Sequence, residues 1–225
     1  MNNLIIIPAR SSSQRITNKN LVNINGKPLI YYTINECKKL KKIADICIST
    51  DSNKIINYCK KFKYILIRKR PKKLSSNTTS MNDVILDLIK FFEKANKNYK
   101  NIILLQPTSP MRKYQDILRC LNLFKKKNLK SLLTISNLIE KSHEIVIKDK
   151  KNWKFLFEKK EKDKECNYVD GSIYICTTNF FKRYKSIYKK NKSFFYKVSK
   201  NFNIDIDYKH ELVLAKYFLK ENLRR

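Results

Sequence analysis

Arg10, Arg15 and Lys19 stand among Ser11, Ser12 and Ser13 in a loop that follows directly on the apolar run Leu4 to Ile7. That run has the length and branched content of a buried parallel strand. Cations, hydroxyls and free backbone N–H groups at the end of such a strand are the donors that a nucleoside triphosphate requires. Neither a Walker lysine nor a GxGxxG run is present, so on this segment alone a strand leading into a solvated basic loop remains an equal reading. Far along the chain, Asn203-Ile-Asp205-Ile-Asp207 alternates two carboxylates with apolar residues just before a helical stretch. In an extended segment this spacing puts both carboxylates on one side. Hard cations such as Mg²⁺ take one or two carboxylates together with substrate phosphates. The plainer alternative is a strand end with a helix-capping aspartate.

The elements that must position these groups follow from the periodicity of apolar residues. Strand-like runs at 3–7, 44–49, 64–67, 101–106 and 131–136 alternate with helical patterns at 28–40, 52–62, 81–96 and 114–127. That order predicts an α/β fold with a doubly wound, mostly parallel Rossmann-like sheet covered on both faces. Pro28 suits the first helical position, ahead of the stripe Leu29, Ile30, Thr33, Ile34 and Cys37. Asp51-Ser52 should cap the second helix, and Ser80 or Asn82 the third. Residues 137–170 break the alternation and read as an excursion. Ser172 to Cys176 predicts a further strand, and 208–223 a closing helix. In such sheets ligands bind beyond the carboxyl ends of the strands. The loops there are Arg10 to Asn20, Ser49 to Asp51, Arg68 to Pro71 and Gln106 to Arg112; each is polar, and three contain arginine.

With 225 residues, 42% of them hydrophobic and 12% aromatic, the chain can bury a core and is not disordered; one domain of 1–225 with an internal excursion is expected. Fifty Lys and Arg against 19 Asp and Glu give +31. Such a surplus raises a nucleic-acid-binding protein as an alternative class. The lysines are spread through nearly every segment, which favours solvated surfaces over a dedicated groove. Six cysteines without a CxxC pair, and only two histidines, argue against zinc and for buried reduced thiols in a cytoplasmic protein. No apolar run is long enough to span a bilayer, so no membrane partner is expected.

Taken together, Ile7-Pro-Ala-Arg10 with Lys19-Asn20, Gly26-Lys-Pro-Leu-Ile-Tyr-Tyr-Thr-Ile34, Ser49-Thr-Asp51, Arg70-Pro71, Leu105-Gln-Pro-Thr-Ser-Pro-Met-Arg112, Gly171-Ser-Ile-Tyr174 and Ile204-Asp-Ile-Asp207 resemble the acylneuraminate cytidylyltransferase family. These enzymes activate sialic acid and related nonulosonic acids as CMP-sugars. The resemblance implies a nucleotide-diphospho-sugar transferase type of sheet and transfer of CMP from CTP to the anomeric hydroxyl of a nine-carbon α-keto sugar acid. Pyrophosphate leaves. A cytidylyltransferase for an eight-carbon keto sugar acid is the nearest enzymatic alternative.

By the same resemblance, Arg10, Ser11, Ser13, Gln14 and Lys19 would cradle the phosphates, and Asn20, Arg70 and the loop from Ser76 to Ser80 would surround the cytosine. Asp205 and Asp207 would hold Mg²⁺, with Asp207 acting on the sugar hydroxyl through the metal; Arg10, Lys19 and Asp207 form the expected catalytic set. Gln106, Tyr174 and Lys160 would contact the sugar acid. A homodimer formed through 137–170, a segment that includes His143, is also implied. The chain departs from the family pattern at Ser11-Ser12, which replace a glycine pair, at Asn77, at Lys160-Glu161 and at Asp170, where an asparagine is usual. The last change would place a carboxylate where sugar recognition expects a neutral donor.

Overall fold

The computed structural model describes residues 1–13, 15–138, 145–149, 152–155, 165–198 and 204–223. Its centre is β1 (Asn3–Pro8), buried along its whole length. Leu4 and Ile6 point into one apolar cluster and Ile5 and Ile7 into another, as strand alternation requires of a strand covered on both faces. On one side β1 pairs in parallel with β4 (Asp45–Thr50), which pairs in parallel with β5 (Ile65–Lys69). On the other it pairs in parallel with β6 (Asn101–Leu104).

Beyond β6 lie β10 (Asn167–Thr177), β7 (Ser131–Asn137) and β11 (Phe194–Lys197), giving the order β11-β7-β10-β6-β1-β4-β5. The strand predicted at Ser172 to Cys176 is therefore longer, and it runs antiparallel to both neighbours. β11 pairs in parallel with β7. The sheet is mostly parallel and doubly wound, as the alternation predicts.

The helices predicted at 28–40, 52–62, 81–96 and 114–127 are α1 (Leu29–Lys38), α2 (Asn53–Cys59), α3 (Met81–Lys94) and α4 (Tyr114–Lys126). Ser52 and Ser80 cap α2 and α3 through their side chains, accepting from the N–H of Ile55 and Asp83. Pro28 is displaced by one position: it is the N-cap of α1, with extended backbone, because it ends the small hairpin β2 (Asn23–Ile24) and β3 (Lys27–Pro28). α1, α2 and α4 bury their stripes on the face of Ile5 and Ile7. α3 and α5 (Thr178–Tyr184) cover the face of Leu4 and Ile6.

α6 (Lys209–Leu223) is the predicted closing helix. Through Ala215 and Leu219 it packs on Ile24, Leu29 and Ile206, bringing the far end of the chain beside the loop that follows β1. The excursion is narrower than predicted. β7 and β10 pair within the sheet up to Asn137 and Asn167. Its described part is the hairpin β8 (Val146–Asp149) and β9 (Asn152–Phe155). Left-handed backbone occurs at Asn18, Asn25, Asn96, Asn128, Asn191 and Lys185, positions where glycine is commoner.

Candidate active site

Where β1 ends, the backbone continues through Ala9, whose N–H bonds to the carbonyl of Ser49 on β4. The loop then turns without glycine: neither Ser11 nor Ser12 takes a positive φ, and among the described residues of the loop the left-handed one is Asn18. Asp51 fastens the turn. Its carboxylate accepts the N–H of Ser11 at 2.8 Å and the Ser11 hydroxyl through its other oxygen. Burial works to raise this carboxyl, but the two Ser11 hydrogen bonds, its own N–H and the Arg70 guanidinium outweigh burial and hold it below the usual range.

Arg70 is itself buried at the end of β5, donating to the Ser49 hydroxyl and carbonyl at 3.1 and 2.8 Å. Desolvation pulls its pKa down, with Asp51 acting in the opposite sense and Arg10 reinforcing the drop. Asn20, also buried, donates to the carbonyl of Arg10, and Arg10 donates to the carbonyl of Ser76. Arg68 belongs to the scaffold, forming a two-pronged pair with Asp87 of α3 at 3.1 Å for both bonds.

These groups enclose a cavity of about 310 Å³. Arg10, Ser13, Lys19, Asn20, Arg70 and Ser76 line it, with Asn77 beside them. Gln106, Asp205 and Asp207 line the same space. The two ends of the sequence expected to work together therefore meet in one cavity. The segment 204–207 carries both aspartates and is pinned by a hydrogen bond from the Ile206 N–H to the Thr108 carbonyl, while Ile206 is buried under α6. Glu211, in the first turn of α6, accepts the N–H groups of Asp207 and Tyr208 at 2.6 and 2.7 Å and so caps the helix.

Asp207 is ion-paired to Lys19 at 2.8 Å and to Arg15 at 3.3 Å. Asp205 differs. Burial raises its pKa, Asp207 and Glu211 add to the rise, and Thr108 and Lys19 offset part of it. Its Oδ1 is buried without a hydrogen-bond partner. A desolvated carboxylate on the cavity wall beside a second carboxylate suits a hard cation. Among the described residues no group of three or more His, Cys, Asp and Glu could hold a metal, so oxygens of a bound substrate would have to complete the ligands.

The loop after β6 is held by Arg112, which is fully buried. It donates to the Ser172 carbonyl at 2.6 Å, the Thr33 hydroxyl at 2.8 Å and the Gln106 carbonyl at 3.2 Å. Desolvation lowers its pKa to about 10. Gly171, with φ +71°, lies so close to the carboxylate of Asp205 that a Cβ would come within 3.0 Å of Oδ2. Glycine is required there by both the conformation and the space.

Other expected site residues lie elsewhere. Ser80 caps α3 and bonds to Asp83 rather than lining the cavity. Tyr174, also outside the lining, stacks on Tyr188 with ring centroids 6.2 Å apart, and burial raises its pKa. Asp170 is buried within the sheet. Gln14, His143, Lys160 and Glu161 lie outside the described residues. Sequence reasoning missed Asp51, Glu211 and Arg112 as groups that shape the site. Glu211 had a signal, its spacing of three from Tyr208, as in a capping box; the burial of Arg112 had none.

An open α/β sheet with a basic, hydroxyl-bearing loop at the end of β1 and a carboxylate pair facing it is the architecture of a nucleotidyltransferase. A model of the cytidylyltransferase family matches residues 4–223, and the chain belongs to that family. It is 27% identical over 228 residues to pseudaminic acid cytidylyltransferase from Campylobacter jejuni subsp. jejuni serotype O:2, covering 99% of this chain and 98% of the relative. Over 230 residues it is 28% identical to CMP-N,N'-diacetyllegionaminic acid synthase from Legionella pneumophila subsp. pneumophila, covering 97% of each. Among solved structures, CMP:2-keto-3-deoxy-manno-octonic acid synthetase complexed with CTP superposes with a TM-score of 0.72 at 16% identity, covering 99% of this chain and 100% of the other. That likeness is one of fold.

Proposed function

We propose that the protein transfers CMP from CTP to the anomeric hydroxyl of a nine-carbon α-keto sugar acid, releasing pyrophosphate, and that it requires Mg²⁺. The observation that carries this reading is the meeting in one cavity of the Arg10, Lys19 and Arg70 cations with the carboxylate pair Asp205 and Asp207. Both substrates are anions, and the cations of the loop would bind and align them. Lys19 and Arg10 would neutralise the phosphates, and Asn20 and Ser76 lie where a base could be enclosed. Asp205 and Asp207 would hold Mg²⁺, which when bound supplies charge neutralisation on the phosphates. Gln106, on the Asp205 side of the cavity, is the described residue best placed to meet the sugar acid. The names of the two relatives support a nonulosonic acid as acceptor.

The 1–225 chain is read as one catalytic domain that acts in the cytoplasm as a homodimer, without nucleic-acid or membrane partners. Trp153 and Phe155 on β9, each 66% exposed, support a surface that a second copy would cover. Among the described residues no helix is long and apolar enough to cross a membrane. The unpaired cysteines, five of them buried and Cys166 half-buried, accord with a reducing compartment.

The test is pyrophosphate release from CTP, ATP, GTP and UTP with Mg²⁺, against N-acetylneuraminic, legionaminic, pseudaminic and eight-carbon keto sugar acids. Release with CTP and one nine-carbon acid supports the proposal. Release only with the eight-carbon acid, or with no pair, refutes it.

A further inference from the structure

The register between β7 and β10 breaks at one place. Val169 opposes Ile135 and Tyr174 opposes Leu133, so residues 170–173 all bulge opposite Thr134. Asp170 opens this bulge, is buried, and has both carboxylate oxygens occupied. Thr134 Oγ1 donates to Oδ1 at 2.5 Å, the Ser172 N–H donates to the same oxygen at 2.9 Å, and Ser136 Oγ donates to Oδ2 at 2.9 Å. Thr134 also accepts the N–H of Ile173 at 3.0 Å. From the other side Arg112 holds the Ser172 carbonyl. Gly171, at the apex, sits against Asp205, and its missing Cβ would also lie 3.7 Å from Gln106 Nε2.

We infer that Asp170 is a positioning residue: gripped by Thr134 and Ser136, its carboxylate fixes the β10 bulge so that Gly171 seats Asp205 and Gln106 in the cavity. A carboxylate suits this role, since both hydroxyls and the Ser172 N–H can donate to it and each of its oxygens is satisfied. The departure at 170 is thus matched by the hydroxyls of β7 and is not directed at the sugar. This inference rests on the proposed cytidylyl transfer and names how its site is held.

The test compares Thr134→Val, which keeps the shape and removes the hydroxyl, with Thr134→Ser, which keeps the hydroxyl, and adds the milder Ser136→Ala in case the valine variant folds poorly. Amide hydrogen exchange at Ser172 and Ile173 is read on the ligand-free protein. The expected result is exchange about tenfold faster in Thr134→Val and faster in Ser136→Ala. With it, kcat should fall by up to about 100-fold while KM for CTP stays within about threefold, and Thr134→Ser should restore both readouts. Unchanged exchange, or faster exchange with unchanged kcat, overturns the positioning role. So does an Asp170→Ala variant that changes only the KM of the sugar acid, since that is the signature of direct contact. Absence of turnover by the wild-type chain would instead overturn the reading of the reaction.

Discussion

Lys19 Nζ lies 2.8 Å from Asp207 Oδ1 and 2.8 Å from the carbonyl oxygen of Ile206, joining the loop after β1 to the segment that precedes α6. One ammonium thus spans the cavity between the expected phosphate side and the expected cation side. In the free protein it neutralises the carboxylate that a bound cation would otherwise claim. On the proposed reading, substrate binding redistributes Lys19 between Asp207 and a phosphate.

Replacing Lys19 with alanine should therefore lower kcat/KM for CTP by about 10²–10³, the cost of losing one oriented charge in a water-poor site. Lys19→Arg should recover only part of this, since the bulkier planar fork does not fit the point at which one compact ammonium lies 2.8 Å from both acceptors. Steady-state kinetics at saturating sugar acid checks both. An alanine variant within twofold of wild type would remove Lys19 from the site.

Asp205 is held at a cost to the fold. Its raised pKa means that the folded state binds its proton more tightly than the unfolded chain, so the ionised side chain destabilises the protein above the raised pKa and the penalty is relieved as pH falls through it. Asp205→Asn should consequently raise Tm at neutral pH without Mg²⁺, by roughly 2–4 °C for each kcal/mol regained, and abolish turnover. Thermal melts in the presence of CTP, with and without Mg²⁺, read the metal's part: added Mg²⁺ should further stabilise the CTP-bound wild type and leave the CTP-bound variant unmoved.

The opposite sign applies to Asp51. Its pKa lies below the ordinary value, so its contribution to stability is present above the unfolded-state pKa of about 3.9 and is lost as pH falls through the folded-state value. Asp51→Asn should flatten the acid limb of the stability curve and raise KM for CTP, because the Ser11 tether weakens. Urea melts across pH 3–7 with parallel kinetics would show it. An unchanged acid limb would dissociate the Ser11 contact from stability.

Arg112 tests the scaffold rather than the chemistry. Arg112→Met leaves the carbonyls of Ser172 and Gln106 without their shared donor and should cost on the order of 1–3 kcal/mol for each acceptor left unsatisfied, measured by denaturant unfolding. Arg112→Lys should be almost as damaging, since one ammonium cannot reach the positions served by the separate nitrogens of the fork.

The sheet and its helices were legible wherever periodicity decides. Val84, Ile85, Leu88, Ile89 and Phe92 mark α3 in the sequence and are its buried residues. Local patterning failed where pairing is set by distant partners. The direction of β10 and the addition of β11 follow from neighbours far along the chain, whereas the two-residue strands β2 and β3 form a local hairpin around Asn25-Gly26 that the apolar periodicity is too short to mark. The approach of Asp205 and Asp207 to Arg10 and Lys19 was expected through the family resemblance and is seen in the cavity lining. The fate of Asp170 was not legible. Its identity suggests a surface contact with a ligand, whereas Thr134 and Ser136, separated from it by more than thirty residues, draw it inward.

The asparagines that make the left-handed turns have a practical consequence. With only two glycines in the chain, Asn18, Asn25, Asn96, Asn128 and Asn191, and also Lys185, carry a conformation that disfavours a Cβ. The penalty is on the order of 1 kcal/mol at Lys185, where the side chain offers no local compensation, and smaller at the asparagines. Asn96, Asn128, Lys185 and Asn191 are exposed and do not line the cavity. Glycine at these four turns is thus an engineering reserve: a sturdier catalyst could be assembled from its periphery, leaving the machinery of transfer as it is.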